Sequence, residues 1–234
     1  MKITYAETYE EMSRIGADLF CKTIQENPKA VVCIATGGSP RGMYRNIVER
    51  CKQQRISTEA ITCIKLDEWY RLPMDHPATC EQYIQQEFVL PLRLRNDQVI
   101  SFDSDTENPE KECRRVGELL KSYAPDLCIL GLGTNGHLGL NEPGSYLDLF
   151  AHTVTLAKTS QQHSMLANVQ VHSGMTLGLK EIFSASHILF LVSGPNKTAA
   201  FEAFQSGRLS TENPATLLWL HGNVECVVDN QSLR

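Results

Sequence analysis

The segment Gly131-Leu132-Gly133-Thr134-Asn135-Gly136-His137-Leu138-Gly139-Leu140-Asn141-Glu142-Pro143 places one histidine and one carboxylate among closely spaced glycines. It follows directly on the apolar run Leu127-Cys128-Ile129-Leu130, which reads as a buried strand. Glycines at this density let a backbone turn sharply and approach a ligand, and Pro143 closes the segment. Histidine is the side chain type suited to proton transfer near neutral pH, and Glu142 can fold back toward His137. A loop that follows a buried strand and carries an acid–base pair is a candidate active-site loop. Gly131, Gly133 and Gly136 also match the dinucleotide pattern G-x-G-x-x-G. That pattern needs a helix at the third glycine and an acid about twenty residues on. Here Leu138 to Ser145 is loop-like and Thr155 to Lys158 holds no acid. An isolated histidine is usually structural, but one set between glycines at a strand end is better read as chemical.

Three further stretches carry usable groups. Gly37-Gly38-Ser39 lies between a strand and a helix and offers free backbone N–H groups, a hydroxyl and a helix N-terminus, a combination that binds phosphate. It is not a Walker A loop, because the G-K-[ST] ending is missing. Asp67 ends a strand and is a candidate base, partly desolvated; the adjacent Glu68 could equally be the functional acid. Lys197, in the first turn of a later helix, could supply countercharge to a phosphate. Arg41, His76 and His163 are weaker candidates, with the surface as their default.

These groups need positioning elements. Met1 to Ala6, Ala30 to Ala35, Ile61 to Leu66, Val99 to Phe102, Leu127 to Leu132, Thr153 to Leu156, His187 to Val192 and Val224 to Val228 read as strands. Helices are expected from Thr8 to Asn27, with Glu11 completing a capping box, and from about Pro40 to Gln53. Others run from a second capping box, Thr79-Cys80-Glu81-Gln82, toward Val89, from Glu110 to Tyr123, and from Lys197 to Gly207. Strands alternating with helices predict an α/β fold, a three-layer αβα arrangement with a mostly parallel, Rossmann-like central sheet. With no repeat or linker, residues 1–234 are expected to form one domain. In such sheets ligands bind beyond the carboxyl ends of the strands. The Gly37 loop, Asp67, the His137 loop and Lys197 each follow a strand, so the topology would bring them to one edge.

Composition narrows the function classes. The chain has 234 residues, a net charge of −5 and eight cysteines. The charge and the absence of basic runs argue against nucleic acid as a partner. No apolar span suits a membrane, and the N-terminus lacks the apolar core of a signal peptide. The scattered cysteines, without C-x-x-C pairs, read as free thiols of a cytoplasmic protein. There is no metal-ligand spacing and no activated nucleophile. Taken alone, the residues suit proton transfer on a small phosphorylated sugar, and a homo-oligomer stays open.

In order along the chain, A-T-G-G-S-P-R-G, K-L-D-E-W and G-L-G-T-N-G-H-L-G-L-N-E-P resemble the glucosamine-6-phosphate deaminase/isomerase family, with S-G-P-N-K and P-A-T-L-L-W-L-H in the expected places. D-E-W, T-C-E-Q-Y-I-Q-Q and L-W-L-H look most like its galactosamine-6-phosphate isomerase/deaminase branch. The resemblance implies an aldose–ketose isomerisation coupled to loss of ammonia, without metal or redox cofactor. It implies that His137 opens the pyranose ring, that Glu142 holds this histidine, and that Asp67 moves the C2 proton to C1. Gly37, Gly38, Ser39 and Lys197 would bind the 6-phosphate. Many members have Asp where this chain has Asn135; an amide cannot accept a proton, so any relay would rest on Glu142. Some members place an arginine at the substrate in a segment resembling Thr159 to Leu166; here Met165 falls near that position, with His163 close by. Glucosamine 6-phosphate is the neighbouring substrate. The related 6-phosphogluconolactonases continue differently after the G-H, so the N-E-P ending argues against lactone hydrolysis. A non-catalytic sugar-phosphate regulator would be expected to carry a DNA-binding extension before the first strand.

Overall fold

The structure, a computed structural model, describes residues 1–233. Strands β1 (Lys2–Ala6), β2 (Val31–Ile34), β3 (Thr62–Lys65), β5 (Val99–Ile100), β6 (Leu127–Gly131), β9 (His187–Val192) and β10 (Val224–Asp229) form one sheet in the order β1-β10-β9-β6-β2-β3-β5. Every pairing in it is parallel. The strands read as continuous apolar runs because both faces are covered. Along β2 and β6 successive side chains enter opposite cores: Val32, Ile34, Leu127 and Ile129 on one side, Cys33, Cys128 and Leu130 on the other.

The first side is covered by α1 (Tyr9–Glu26) and α2 (Gly38–Gln54), through Phe20, Met43, Tyr44 and Ile47. The second is covered by α5 (Pro109–Leu120), α7 (Leu179–Phe183) and α8 (Thr198–Gln205), through Val116, Ile182, Phe201 and Phe204. This is the expected αβα arrangement. Thr8 caps α1 by accepting from the Glu11 N–H, while the Glu11 carboxylate returns to the Glu7 N–H rather than to Thr8. Thr79 likewise caps α3 (Cys80–Ile84), but the Gln82 side chain bonds the Met74 carbonyl, so the second box does not close. Beyond α3 the helix widens into a π turn (Gln85–Val89) before α4 (Leu90–Leu92).

A second sheet was not anticipated. β4 (Asp67–Trp69), β8 (Ser173–Thr176) and β7 (His152–Thr155) pair antiparallel in the order β4-β8-β7. β4 follows β3 after the single residue Leu66, whose N–H still bonds the Ile34 carbonyl. The expected strand to Leu66 thus continues, but changes partners. The short helix α6 (Lys158–Gln161) follows β7.

The sheet order reverses between β2 and β6. From there β3 and β5 extend one way, β9, β10 and β1 the other. Such a switch point opens a crevice beyond the strand ends. The register places Cys33 beside Cys128, Ile34 beside Lys65 and Gly131 beside Leu191. The residues that follow these strands, Gly37, Gly133, Asp67 and Ser193 to Lys197, therefore emerge side by side.

Candidate active site

A cavity of about 600 Å³ lies at this switch point. Gly37, Gly38, Ser39, Asp67, His137, His163 and Lys197 are among its lining residues, drawn from segments far apart in sequence. Glu142 and Asn135 stand directly behind His137.

At one end is the turn into α2. Gly37 has φ +107°, a conformation that side chains with a Cβ rarely adopt. No side chain caps the helix. The Gly37 carbonyl accepts a 2.6 Å bond from the Tyr83 hydroxyl, and the Gly38 carbonyl one of 2.6 Å from Tyr9. Both carbonyls are thus engaged, and the uncapped helix start suits an anion. Lys197, at the N-cap of α8, is half-buried, and burial lowers its ammonium to about 8.

His137 forms part of the cavity wall. Its Nδ1 lies 3.4 Å from Glu142 Oε2 and 3.3 Å from Ser160 Oγ. A Cβ on Gly133 would overlap the His137 ring, so only glycine lets the ring lie there. Asn135 Nδ2 donates to Glu142 Oε2 at 2.8 Å, and Asn135 Oδ1 accepts from the His137 backbone N–H at 3.2 Å. Burial works to raise the Glu142 carboxyl, but hydrogen bonding and charge from His137, with help from Ser160 and Asn135, outweigh it and hold it at about 2. A permanent carboxylate on Nδ1 leaves Nε2 as the nitrogen that can exchange a proton with a ligand. No helix opens at Gly136; the chain runs on as a loop through Gly139, as expected for a loop that is not a dinucleotide fingerprint.

Asp67 and Glu68 are neighbours in sequence and differ completely in surroundings. Asp67 lines the cavity while 8% exposed; burial, then the Glu68 charge, push its carboxyl up to about 6. Its neighbour is the Cys80 thiol, 3.8 Å from Oδ1. Glu68 has no exposure. It accepts from the backbone N–H groups of Trp69, Cys80 and Glu81 at 2.7–2.8 Å and from Lys65 Nζ at 2.9 Å. Lys65, itself 1% exposed, also bridges to Glu81 at 2.8 Å. With these donors and no opening to the cavity, Glu68 closes the start of α3 and cannot serve as the base. That corrects the alternative in which Glu68 was the functional acid.

Arg41 does stay at the surface, 3.2 Å from Glu87 and 5.3 Å from the Tyr83 ring centroid. His76 accepts from the Ala78 N–H and does not line the cavity. His163 departs from its surface default: it lines the cavity, its ring centroid 5.9 Å from that of Trp69. Ser160 and Trp69 also line the site. No local pattern marks Ser160, which reaches His137 through the packing of α6 against the loop.

Comparison with known proteins shows the family. The family described as "Glucosamine-6-phosphate isomerases/6-phosphogluconolactonase" matches residues 5–227. The chain is 45% identical over 226 residues to "Putative deaminase AgaI" of Escherichia coli (strain K12), covering 95% of this chain and 90% of that one. It is 33% identical to "Glucosamine-6-phosphate deaminase 1" of Bacillus subtilis (strain 168), covering 99% and 98%. A solved structure described as a monomeric glucosamine-6-phosphate deaminase of the NagB superfamily superposes with a TM-score of 0.94 at 33% identity, over the full length of both chains. The 6-phosphogluconolactonase of Trypanosoma brucei shares the fold, with a TM-score of 0.75 at 18% identity over 97% and 95% of the chains. This chain belongs to the family of glucosamine-6-phosphate isomerases and 6-phosphogluconolactonases.

Proposed function

We propose that the protein is an amino-sugar 6-phosphate deaminase/isomerase that converts galactosamine 6-phosphate to tagatose 6-phosphate and ammonia. The observation that carries this reading is a buried carboxyl held near pH 6 in the same cavity as a histidine backed by a permanent carboxylate, with an uncapped helix start and a lysine also on its wall. The deaminase names of the relatives support it.

The phosphate sits on the Gly37-Gly38-Ser39 turn opposite Lys197. His137 Nε2 takes the proton of the anomeric hydroxyl and returns one to the ring oxygen, opening the pyranose. Glu142 stabilises the imidazolium formed between these two transfers, and Asn135 orients Glu142. Asp67 then removes the C2 proton, acidic because it lies next to the C1 aldehyde. The C–H electron pair forms the C1–C2 double bond, the substrate's own ammonium gives a proton to the carbonyl oxygen, and an enolamine results. Delivery of that proton to C1 leaves an iminium at C2; water adds there and ammonia leaves. A base with a carboxyl near 6 is ionised at neutral pH yet a good enough acid to return the proton.

The galactosamine branch rests on D-E-W, T-C-E-Q-Y-I-Q-Q and L-W-L-H together with the 45% identity to the Escherichia coli relative. Ammonia release measured on both amino-sugar 6-phosphates tests the reading. The higher kcat/KM is expected on the galacto epimer. Preference for the gluco epimer would move the substrate assignment, and release from neither would remove the activity.

A further inference from the structure

The cavity wall holds a polar group to which the reaction above gives no task. His163 Nδ1 accepts the Met165 backbone N–H at 3.3 Å, so in the neutral ring the proton is on Nε2. Among the described residues that Nε2 has no protein partner, and it is not sealed off. It lies 4.0 Å from where a Cβ on Gly37 would stand, over the turn into α2. Burial, then Lys197 and His137, lower the ring to about 4, which keeps it neutral. Among the described lining residues Lys197 is the one fixed cation, and Asp67 contributes negative charge. A dianionic phosphate on the Gly37 turn therefore meets a single ammonium and needs further donors.

We propose that His163 is a phosphate-binding residue, its neutral Nε2–H donating to the ligand's phosphate across the Gly37-Gly38 turn from Lys197. This rests on the phosphate end of the proposed site, not on the chemistry at C1 and C2. A neutral donor adds direction without adding charge. Met165 N–H fixes the ring's tautomer, and Trp69 packs beside it. The position determines how tightly the site holds phosphate and leaves proton transfer to Asp67 and His137.

Two substitutions separate the donor from the ring. In His163→Asn the amide oxygen replaces Nδ1 and keeps the Met165 contact, but nothing reaches the place of Nε2. In His163→Gln the amide nitrogen reaches it. Binding of inorganic phosphate by calorimetry, and KM and kcat for the amino-sugar 6-phosphates, are measured on both. The expected result is phosphate affinity about tenfold or more weaker in His163→Asn, a matching rise in KM, little change in kcat, and recovery to within about twofold in His163→Gln. Wild-type phosphate affinity in His163→Asn overturns the proposal. So does equal loss in both variants, which would assign the effect to ring packing on Trp69. Phosphate binding that depends on position 163 in a wild-type protein releasing no ammonia would sink the deaminase reading and leave this one standing. Turnover indifferent to position 163 would sink this one alone.

Discussion

Asp67 bears a cost in the folded protein that it does not bear in the unfolded chain. Its folded carboxyl is raised to about 6, against roughly 3.9 in an unfolded chain. Between those values the native state binds more protons than the unfolded state, so stability falls as pH rises from about 4 to about 6. Above 6 the whole cost is present. Asp67→Asn removes it, and the variant is expected to be more stable than wild type at pH 7 by on the order of 2–3 kcal/mol. Thermal unfolding across pH checks this: the gain should shrink toward zero near pH 4. The same variant should lose about 10²–10⁴ in rate while still binding a sugar phosphate. Exchange of the C2 proton with deuterated solvent, followed by NMR, is the discriminating readout; exchange at the wild-type rate would dismiss Asp67 as the base. In the wild type, kcat/KM should fall about tenfold per pH unit below about 6. Glu142, held at about 2, cannot produce that limb. Lys197→Ala removes one charge-assisted contact and should weaken phosphate affinity by about 1.5–3 kcal/mol, read as a change in KM rather than in kcat.

At the scale of elements, the start of α3 is tied to the strand that presents Asp67. Glu68 accepts two N–H groups from the first turn of this short helix and holds buried Lys65. Lys65 in turn reaches Glu81 on α3. A buried ion pair that loses one partner leaves an uncompensated charge, at a cost of about 3–5 kcal/mol. Glu68→Ala should therefore destabilise the protein by that order in urea titration, opposite in sign to the effect of Asp67→Asn. Adjacent carboxylates would then move stability in opposite directions, because one serves the fold and the other the cavity. A Glu68→Ala protein of unchanged stability would contradict the network.

For the whole molecule, the cavity is assembled from loops that follow β2, β3, β6 and β9 and from the segment around α6. A ligand filling it touches segments from residue 37 to residue 197 at once. Binding to the folded state alone should stabilise the protein by about 2.7 kcal/mol at a ligand concentration of 100 Kd. Asp67→Asn, which retains the phosphate end but not the base, is suited to that measurement. Its melting temperature is expected to rise with galactosamine 6-phosphate, and less so when Lys197→Ala is added. Among the described residues no helix is long and apolar enough to cross a membrane.

Local sequence determined a good deal. The apolar runs at 31–34, 127–130 and 187–192, short and bounded by turn signals, read as strands covered on both faces, and their alternation with helices implies a parallel sheet. The glycines at 37 and 133 mark backbone that turns or is approached closely, and such needs are local. The motif order alone identified the family. What sequence could not decide is which side of a strand end faces the cavity. Asp67 and Glu68 are chemically near-equivalent carboxylates. Only the antiparallel pairing of β4 with β8 turns one into the cavity and the other toward α3 and Lys65. β8 and β4 were themselves invisible, because Ser173-Gly174-Met175-Thr176 and Asp67-Glu68-Trp69 form no apolar run and are too short for alternation to show. His163 and Ser160 belong to the same class: each reaches the site through the placement of α6 and its following turn, a long-range contact that no local pattern encodes.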